Sequence, residues 1–132
     1  MIGRKFVQRS LYWVIVLSIY AGTEVTAAQT YMASVGDELA LLFCSQVRYN
    51  RTNEFRSTLR EYRLRIRDVY PRVRCNGETM IQFSHRHQAA DIGRLMVENL
   101  RAQDLEASQD FAWSQRLASQ NPIRQAIEGR FK

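Results

Sequence analysis

Residues 75–100, CNGETMIQFSHRHQAADIGRLMVENL, carry the clearest helical pattern in this sequence of 132 residues. Thr79 is a typical N-cap, and we predict that the segment after it is helical through His87. A short turn then leads to a second predicted helix, Asp91–Leu100. Apolar residues recur in this second helix at the spacing of one helical face: Ile92, Leu95, Met96 and Leu100. The short connection favours an antiparallel helix hairpin.

A second hairpin is predicted upstream of the first. Glu38–Tyr49 has apolar residues at helical spacing, and Asp37 is its expected N-cap. Glu54–Tyr62 follows after a polar turn, with Thr52 or Asn53 as the expected cap of this helix. The pattern therefore indicates two helix pairs in succession.

Residues 29–100 are expected to form a small all-α domain of two antiparallel helix hairpins. Leu64–Arg74 lies between the hairpins and has no clear period, and Pro71 limits any helix through it. Residues 101–132 are polar and rich in Gln, Ser and Ala. We expect them to form a flexible or weakly helical C-terminal tail. This tail contains one short apolar line: Ile123, Ile127 and Phe131.

The first 28 residues have the organisation of a secretory signal peptide. Arg4, Lys5 and Arg9 precede an uncharged, mostly apolar run, Leu11–Gly22, and small residues follow up to Ala28. The alternative is an uncleaved membrane anchor, but the run is short against the roughly 20 residues that span a bilayer. The sequence therefore predicts export to the periplasm or secretion, with no stable membrane span after cleavage.

The sequence contains two cysteines, Cys44 and Cys75. An even pair in an exported protein predicts one disulfide, which matters for a core this small. Two buried free thiols are the alternative. Two cysteines are too few for a disulfide-rich scaffold or a closed four-ligand zinc site.

The order of several motifs resembles a known family. Cys44 lies in the first helix, an LREYRL run occupies 59–64, and Tyr70 precedes a Cys75-Asn76-Gly77 triplet and an apolar helix ending near Phe83. From residue 44 to about 97, this order is similar to small secreted gammaproteobacterial proteins catalogued only as a domain of unknown function. The resemblance implies an envelope location and a disulfide, and it implies no activity.

The predicted hairpin after Cys75 also loosely resembles one ankyrin repeat in spacing. Gly77, Thr79 and Ser84 stand where that repeat has its Gly, Thr and small residue, whereas Met80 and Gln82 replace its usual Pro and His. Since stacked repeats usually number three or more, the resemblance is one of helix-pair geometry.

Arginine dominates the charge of the sequence. The net charge is +6, and the segment Arg48–Arg74 holds nine arginines against three acidic residues. Five of these arginines are the candidate anion-binding residues: Arg56, Arg60, Arg63, Arg65 and Arg67. Arg56, Arg60 and Arg63 are spaced i, i+4, i+7, which predicts that they line one helical edge. Planar guanidinium groups suit phosphate and carboxylate partners. An anionic envelope component or an acidic protein is therefore the expected partner. The alternative is a solvated basic face with pairs such as Glu61 to Arg65.

Catalytic and metal motifs are weak. His85 and His87 are two residues apart, unlike the i, i+4 pair that shares a metal on a helix. The serines lack nucleophile-elbow glycines, and there is no Gly-rich phosphate loop. We therefore expect no enzyme, no metal and no cofactor. The export signal argues against nucleic acid as a partner, despite a sequence pI near 9.8.

The expected function is that of a non-catalytic interaction module whose arginine-rich face meets an anionic partner. The alternative is a small structural or inhibitory protein that binds one protein partner through its helix hairpins or its tail.

Overall fold

Eight α-helices make up the part of the chain that the computed structural model describes, namely the backbone of residues 27–132 and the side chains of residues 36–132. They are α1 (Ala27–Arg48), α2 (Thr52–Glu61), α3 (Ile66–Val69), α4 (Met80–Arg86), α5 (Ala90–Glu98), α6 (Ala102–Ala107), α7 (Asp110–Ser114) and α8 (Pro122–Gly129). These residues contain no β-strand, only an isolated bridge between Cys75 and Glu78. The all-α prediction is confirmed.

The chain divides into two units, residues 1–34 and Val35–Lys132. The predicted signal peptide belongs to the first unit, and it lies outside the described residues except at its last two positions, which begin α1. Between residues 27 and 132, none of the helices has the length and apolar character needed to cross a membrane.

The first two helices begin earlier than the sequence predicts. Helix α1 starts at Ala27, so Asp37 lies inside it and the predicted cap at Asp37 is wrong. A single glycine, Gly36, costs a helix only about 1 kcal/mol relative to Ala, so it does not end one. Helix α2 starts at Thr52 after Arg51, with no side-chain cap from Thr52 or Asn53.

The hairpin of α4 and α5 forms as predicted. Thr79 caps α4, because its hydroxyl oxygen accepts a hydrogen bond from the Gln82 backbone N–H at 3.2 Å. The predicted inward residues of α5 are buried. Helices α4 and α5 pack against each other closely at Gly93, where a Cβ would lie only 2.6 Å from Ser84 Oγ.

A side chain of the distant α1–α2 turn supplies the cap of α5. Ala89 occupies the N-cap position and has no side-chain acceptor. Asn50 takes this role, since its Oδ1 accepts from the Ile92 N–H at 3.0 Å and its Nδ2 donates to Asp91 at 3.2 Å. Asn50 has a φ of 55°, a left-handed conformation that asparagine adopts more readily than most residues. The first hairpin is thereby fixed to the second.

The C-terminal segment is part of the core, which differs from the expected flexible or weakly helical tail. Its buried apolar residues are Leu105, Ile123 and Ile127, and its buried polar residues are Asp110 and Ser114. Asn121 caps α8 by accepting from the N–H groups of Ile123 and Arg124. Helix α8 packs against α5, where Gly93 leaves room for Ile123. The apolar line of Ile123, Ile127 and Phe131 is too short to indicate by itself that the segment packs on the domain. Ile123 and Ile127 are buried because α5 has a glycine, Gly93, where α8 meets it.

The disulfide prediction is confirmed. Cys44 in α1 and Cys75 before α4 are bonded, with 5.7 Å between their Cα atoms. Cys75 is buried and Cys44 is half-buried. The bond connects the first helix to the segment that leads into the second hairpin.

Candidate functional site

Helix α2 presents arginines on its outer side because its apolar residues face inward. Phe55 and Leu59 are buried, and the Phe55 ring meets the Phe43 ring of α1 at 5.2 Å. Residues four apart lie on the same edge of a helix, and a residue one position beyond a buried one lies about 100° around the axis from it. Arg56 and Arg60 share such an edge, and both are exposed.

Three of the five predicted arginines line one surface groove of about 340 Å³. The guanidinium-bearing residues Arg56, Arg60 and Arg65 surround an apolar base that includes Leu59, Leu64 and Leu95. We call this the arginine groove. Among the described residues, no acidic side chain forms a salt bridge with Arg56 or Arg60, and Arg60 donates a hydrogen bond to Ser57 Oγ at 3.1 Å. Two cationic groups thus remain available to a partner.

Arg65 is already engaged within the chain. Its Nε lies 2.9 Å from Asp68 Oδ2 and its Nη2 lies 3.1 Å from Asp68 Oδ1, in a two-pronged ion pair. The hydrogen bonds from Arg65 hold the pKa of Asp68 below its ordinary value. The predicted Glu61–Arg65 pair does not form among the described residues, because α2 ends at Glu61 and Arg65 lies in the next segment.

The remaining two candidates do not line this groove. Arg63 follows the end of α2 with a φ of 54°, so the helical edge shared by Arg56 and Arg60 does not continue to it. Arg67 lies in α3 and lines a different cleft. The i, i+4, i+7 spacing predicts one edge of a continuous helix, but α2 ends at Glu61 and Arg63 has a left-handed conformation.

A second cleft, of about 170 Å³, was not indicated by any sequence pattern. Arg67, Pro71 and Arg74 line one part of it, and Asp104 and Ala107 of α6 line another. We call it the α3–α6 cleft. Tyr70, Thr79 and Ser108 also line it, and their hydroxyls belong to a buried polar cluster.

That cluster surrounds Asp110, whose exposed fraction is 0%. The carboxylate accepts hydrogen bonds from the hydroxyls of Tyr70, Thr79 (2.8 Å) and Ser108 (2.6 Å), and from the Gln82 amide (3.0 Å). We call these five residues the Asp110 network. Burial, together with the charge of Asp110, raises the pKa of Tyr70 well above its ordinary value. No spacing in the sequence links these residues, which come from four separate segments.

The histidines lie apart from both sites. His85 meets the Trp113 ring at 5.5 Å and lies 3.4 Å from the Asn121 amide, while His87 packs on Phe83. The part of the chain described by the structure contains no group of three or more His, Cys, Asp or Glu residues that could hold a metal ion.

A family model described as Protein of unknown function (DUF3718) matches residues 43–107. The match covers 65 of the 132 residues, and it is to this family that residues 43–107 are similar. The match confirms the resemblance to a family known only as a domain of unknown function, and the disulfide fits its cysteine pattern. No curated protein and no solved structure matches the chain.

The matched segment, residues 43–107, contains the whole arginine groove and most of the α3–α6 cleft. It ends before Ser108 and Asp110 and before all of α8. The segment after the family match therefore supplies residues that the core of this chain needs.

Proposed function

We propose that this protein is an exported, non-catalytic binding module that uses its arginine groove to hold an anionic partner of the cell envelope. The observation that supports this proposal is the pairing of Arg56 and Arg60 at i, i+4 above an apolar base, with neither in a salt bridge to a described residue. Guanidinium groups without an internal partner favour phosphate or carboxylate oxygens from outside.

The apolar base of the groove favours a partner that carries both charge and hydrocarbon. Leu59, Leu64 and Leu95 line the groove; Leu59 and Leu95 are buried, and Leu64 is half-buried. Anionic lipid headgroups with their acyl chains offer both features at one surface. The cysteine pair supports an exported protein, since disulfides persist mainly in oxidising compartments.

The test is binding to vesicles with and without anionic lipid. The Arg56→Gln/Arg60→Gln variant keeps side-chain length and removes two charges from the groove. Since a basic residue near an anionic surface contributes about 1 kcal/mol, we expect binding to weaken roughly 30-fold. Stability should change by less than about 1 kcal/mol, because both side chains are exposed.

The matched control is Arg72→Gln/Arg116→Gln, which removes two exposed arginines outside the groove. We expect this control to lose much less binding than the groove variant. Equal loss in the two variants would mean that only net charge matters, and unchanged binding in the groove variant would overturn the proposal. Binding should also weaken steeply as salt shortens the Debye length from about 10 Å at 0.1 M to about 3 Å at 1 M.

A second candidate function is docking of one protein partner through the first hairpin. Leu41 is 71% exposed on α1, Leu42 is exposed on the same helix, and Tyr49 is exposed directly after its end. Binding through these side chains should persist at high salt, and Leu41→Asp should abolish it. The tail does not offer a free segment for this purpose, because Ile123 and Ile127 are buried.

A further inference from the structure

The α3–α6 cleft is distinct from the arginine groove and has its own charge pattern. Two arginines, Arg67 and Arg74, line it, and among the described residues neither side chain forms a salt bridge. Asp104 is the acidic residue of the lining. Its carboxylate receives the Arg101 Nε at 3.1 Å and the Arg101 N–H at 2.9 Å. Asp104 is therefore paired with Arg101, whose side-chain hydrogen bond lowers the pKa of the Asp104 carboxyl group, and the charge of Arg67 also helps to lower it. Arg67 and Arg74 remain outside any salt bridge with a described residue.

The side of the cleft that meets the Asp110 network differs from the arginine side, because it offers hydrogen-bond acceptors instead of positive charge. The Tyr70, Thr79 and Ser108 hydroxyls each direct their hydrogen towards Asp110. Thr79 Oγ1 also accepts from the Gln82 N–H at 3.2 Å, and Ser108 Oγ accepts from the Asp110 N–H at 3.4 Å. Each of these two oxygens therefore keeps one lone pair for a ligand, and a negative charge lies behind them. This side of the cleft favours an N–H donor and disfavours an anion.

The apolar part of the lining comes from Pro71, Leu100 and Ala107. The cleft is smaller than the roughly 300–1,000 Å³ of typical small-molecule sites, so it encloses only the end of a larger molecule or a very small one. An occupant that satisfies all three features has a carboxylate, a nitrogen donor on the adjacent carbon and a modest apolar side chain.

We propose that the α3–α6 cleft binds an α-carboxylate with an adjacent N–H, as found at the C-terminal residue of a peptide or in a free amino acid. Arg67 and Arg74 hold the carboxylate, the hydroxyl oxygens accept from the nitrogen, and the apolar lining receives the side chain. The Asp110 network fixes the hydroxyls before binding, which lowers the entropy lost on association. This proposal is independent of the arginine groove.

The test is an NMR titration of the isotope-labelled chain with three probes. The readout is the chemical shift of the backbone amides in Arg67–Arg74 and Asp104–Ser108. N-acetyl-L-leucine carries every feature, L-leucine carries an ammonium in place of the amide, and N-acetyl-L-leucinamide lacks the carboxylate. We expect saturable binding of N-acetyl-L-leucine. N-acetyl-L-leucinamide should bind at least about tenfold more weakly, because it lacks the carboxylate. Tighter binding of L-leucine than of its N-acetyl form identifies a free amino acid as the source, and the reverse order identifies a chain end.

Two variants assign the binding to the cleft. Arg67→Gln/Arg74→Gln should weaken N-acetyl-L-leucine binding by about tenfold or more, whereas Arg72→Gln, outside this cleft, should not change it. The proposal would be overturned if neither N-acetyl-L-leucine nor L-leucine gave saturable shifts, or if N-acetyl-L-leucinamide bound as tightly as N-acetyl-L-leucine. If the double variant fails to fold, the comparison of the three probes on the wild-type chain still decides the outcome.

Discussion

The arginine groove and the Asp110 network place charge in opposite surroundings. In the groove, Arg56 and Arg60 are exposed and unpaired among the described residues, over leucines that give the surface its shape. In the network, one carboxylate is fully buried and accepts hydrogen bonds from four neutral side chains. The charge in the network is already used within the fold, whereas the charge in the groove is free to meet a partner. Substitutions should accordingly affect stability in the network and binding in the groove.

The largest effect is expected from Asp110→Ala. It removes the acceptor of two buried and two half-buried donors, and each buried donor left without a partner costs about 1–3 kcal/mol. We expect a loss of at least about 4 kcal/mol in the free energy of unfolding, measured by urea denaturation. The control is Glu106→Ala, an exposed acid of α6, which should change stability by less than about 0.5 kcal/mol. Similar losses in both variants would remove the contrast between buried and exposed charge.

Reduction of the disulfide should have the next largest effect. Cys44 and Cys75 are 31 positions apart, and a closed loop of that size stabilises the folded state by roughly 3.5–4 kcal/mol in the chain-entropy model. The melting temperature should therefore fall when reductant is added. Thiol labelling of the purified protein without reductant should find no free cysteine, and two labelled cysteines would contradict the bond.

Gly93→Ala tests the packing that joins the C-terminal segment to the second hairpin. The added Cβ would lie 2.6 Å from Ser84 Oγ and 2.8 Å from Ile123 Cδ1, so α4 or α8 must shift. Overpacking of this kind typically costs about 1–3 kcal/mol. Gly36→Ala is the control, since nothing lies within 4 Å of its Cβ position, and it should not destabilise the chain. A neutral Gly93→Ala would mean that α8 packs more loosely than the structure indicates.

The smallest of these effects is a pH dependence that separates the two regions. Because the pKa of Tyr70 is raised in the folded state, its contribution to stability is complete below the unfolded pKa of about 10 and is lost as pH rises towards the folded value. Stability should fall by up to about 1.4 kcal/mol per pH unit in that range from this residue. Tyr70→Phe should remove this part of the slope. The arginines of the groove stay charged over the same range, so a slope unchanged by Tyr70→Phe would place its origin elsewhere.

Local patterns were sufficient where a helix and its cap are neighbours in sequence. Thr79 and the helix after it follow from a cap residue and a helical period, and both are present. The i, i+4 spacing of Arg56 and Arg60 also places them together correctly, because α2 is continuous between them. The resemblance to a family of unknown function could be recognised from the cysteines and the motifs between them.

Other features of the candidate sites could not be predicted because their partners are distant in sequence. Asp110 gave no signal, since its hydrogen-bond donors Tyr70 and Thr79 lie 40 and 31 positions away. The α3–α6 cleft was missed for the same reason. Arg63 was placed on the edge of α2 because a periodic pattern does not show a helix ending two residues earlier.

The sequence by itself determined the all-α class, the α4–α5 hairpin and the cysteine pair, because these depend on helical period, local caps and the presence of only two cysteines. Only the tertiary structure decided that Asn50 caps α5 and that α8 packs over Gly93. A backbone N–H that lacks a local acceptor takes the nearest one in space, as Ile92 does with Asn50. A short apolar line such as that of Ile123 and Ile127 is buried only if another helix offers a surface of matching shape, and sequence spacing contains no information about that surface.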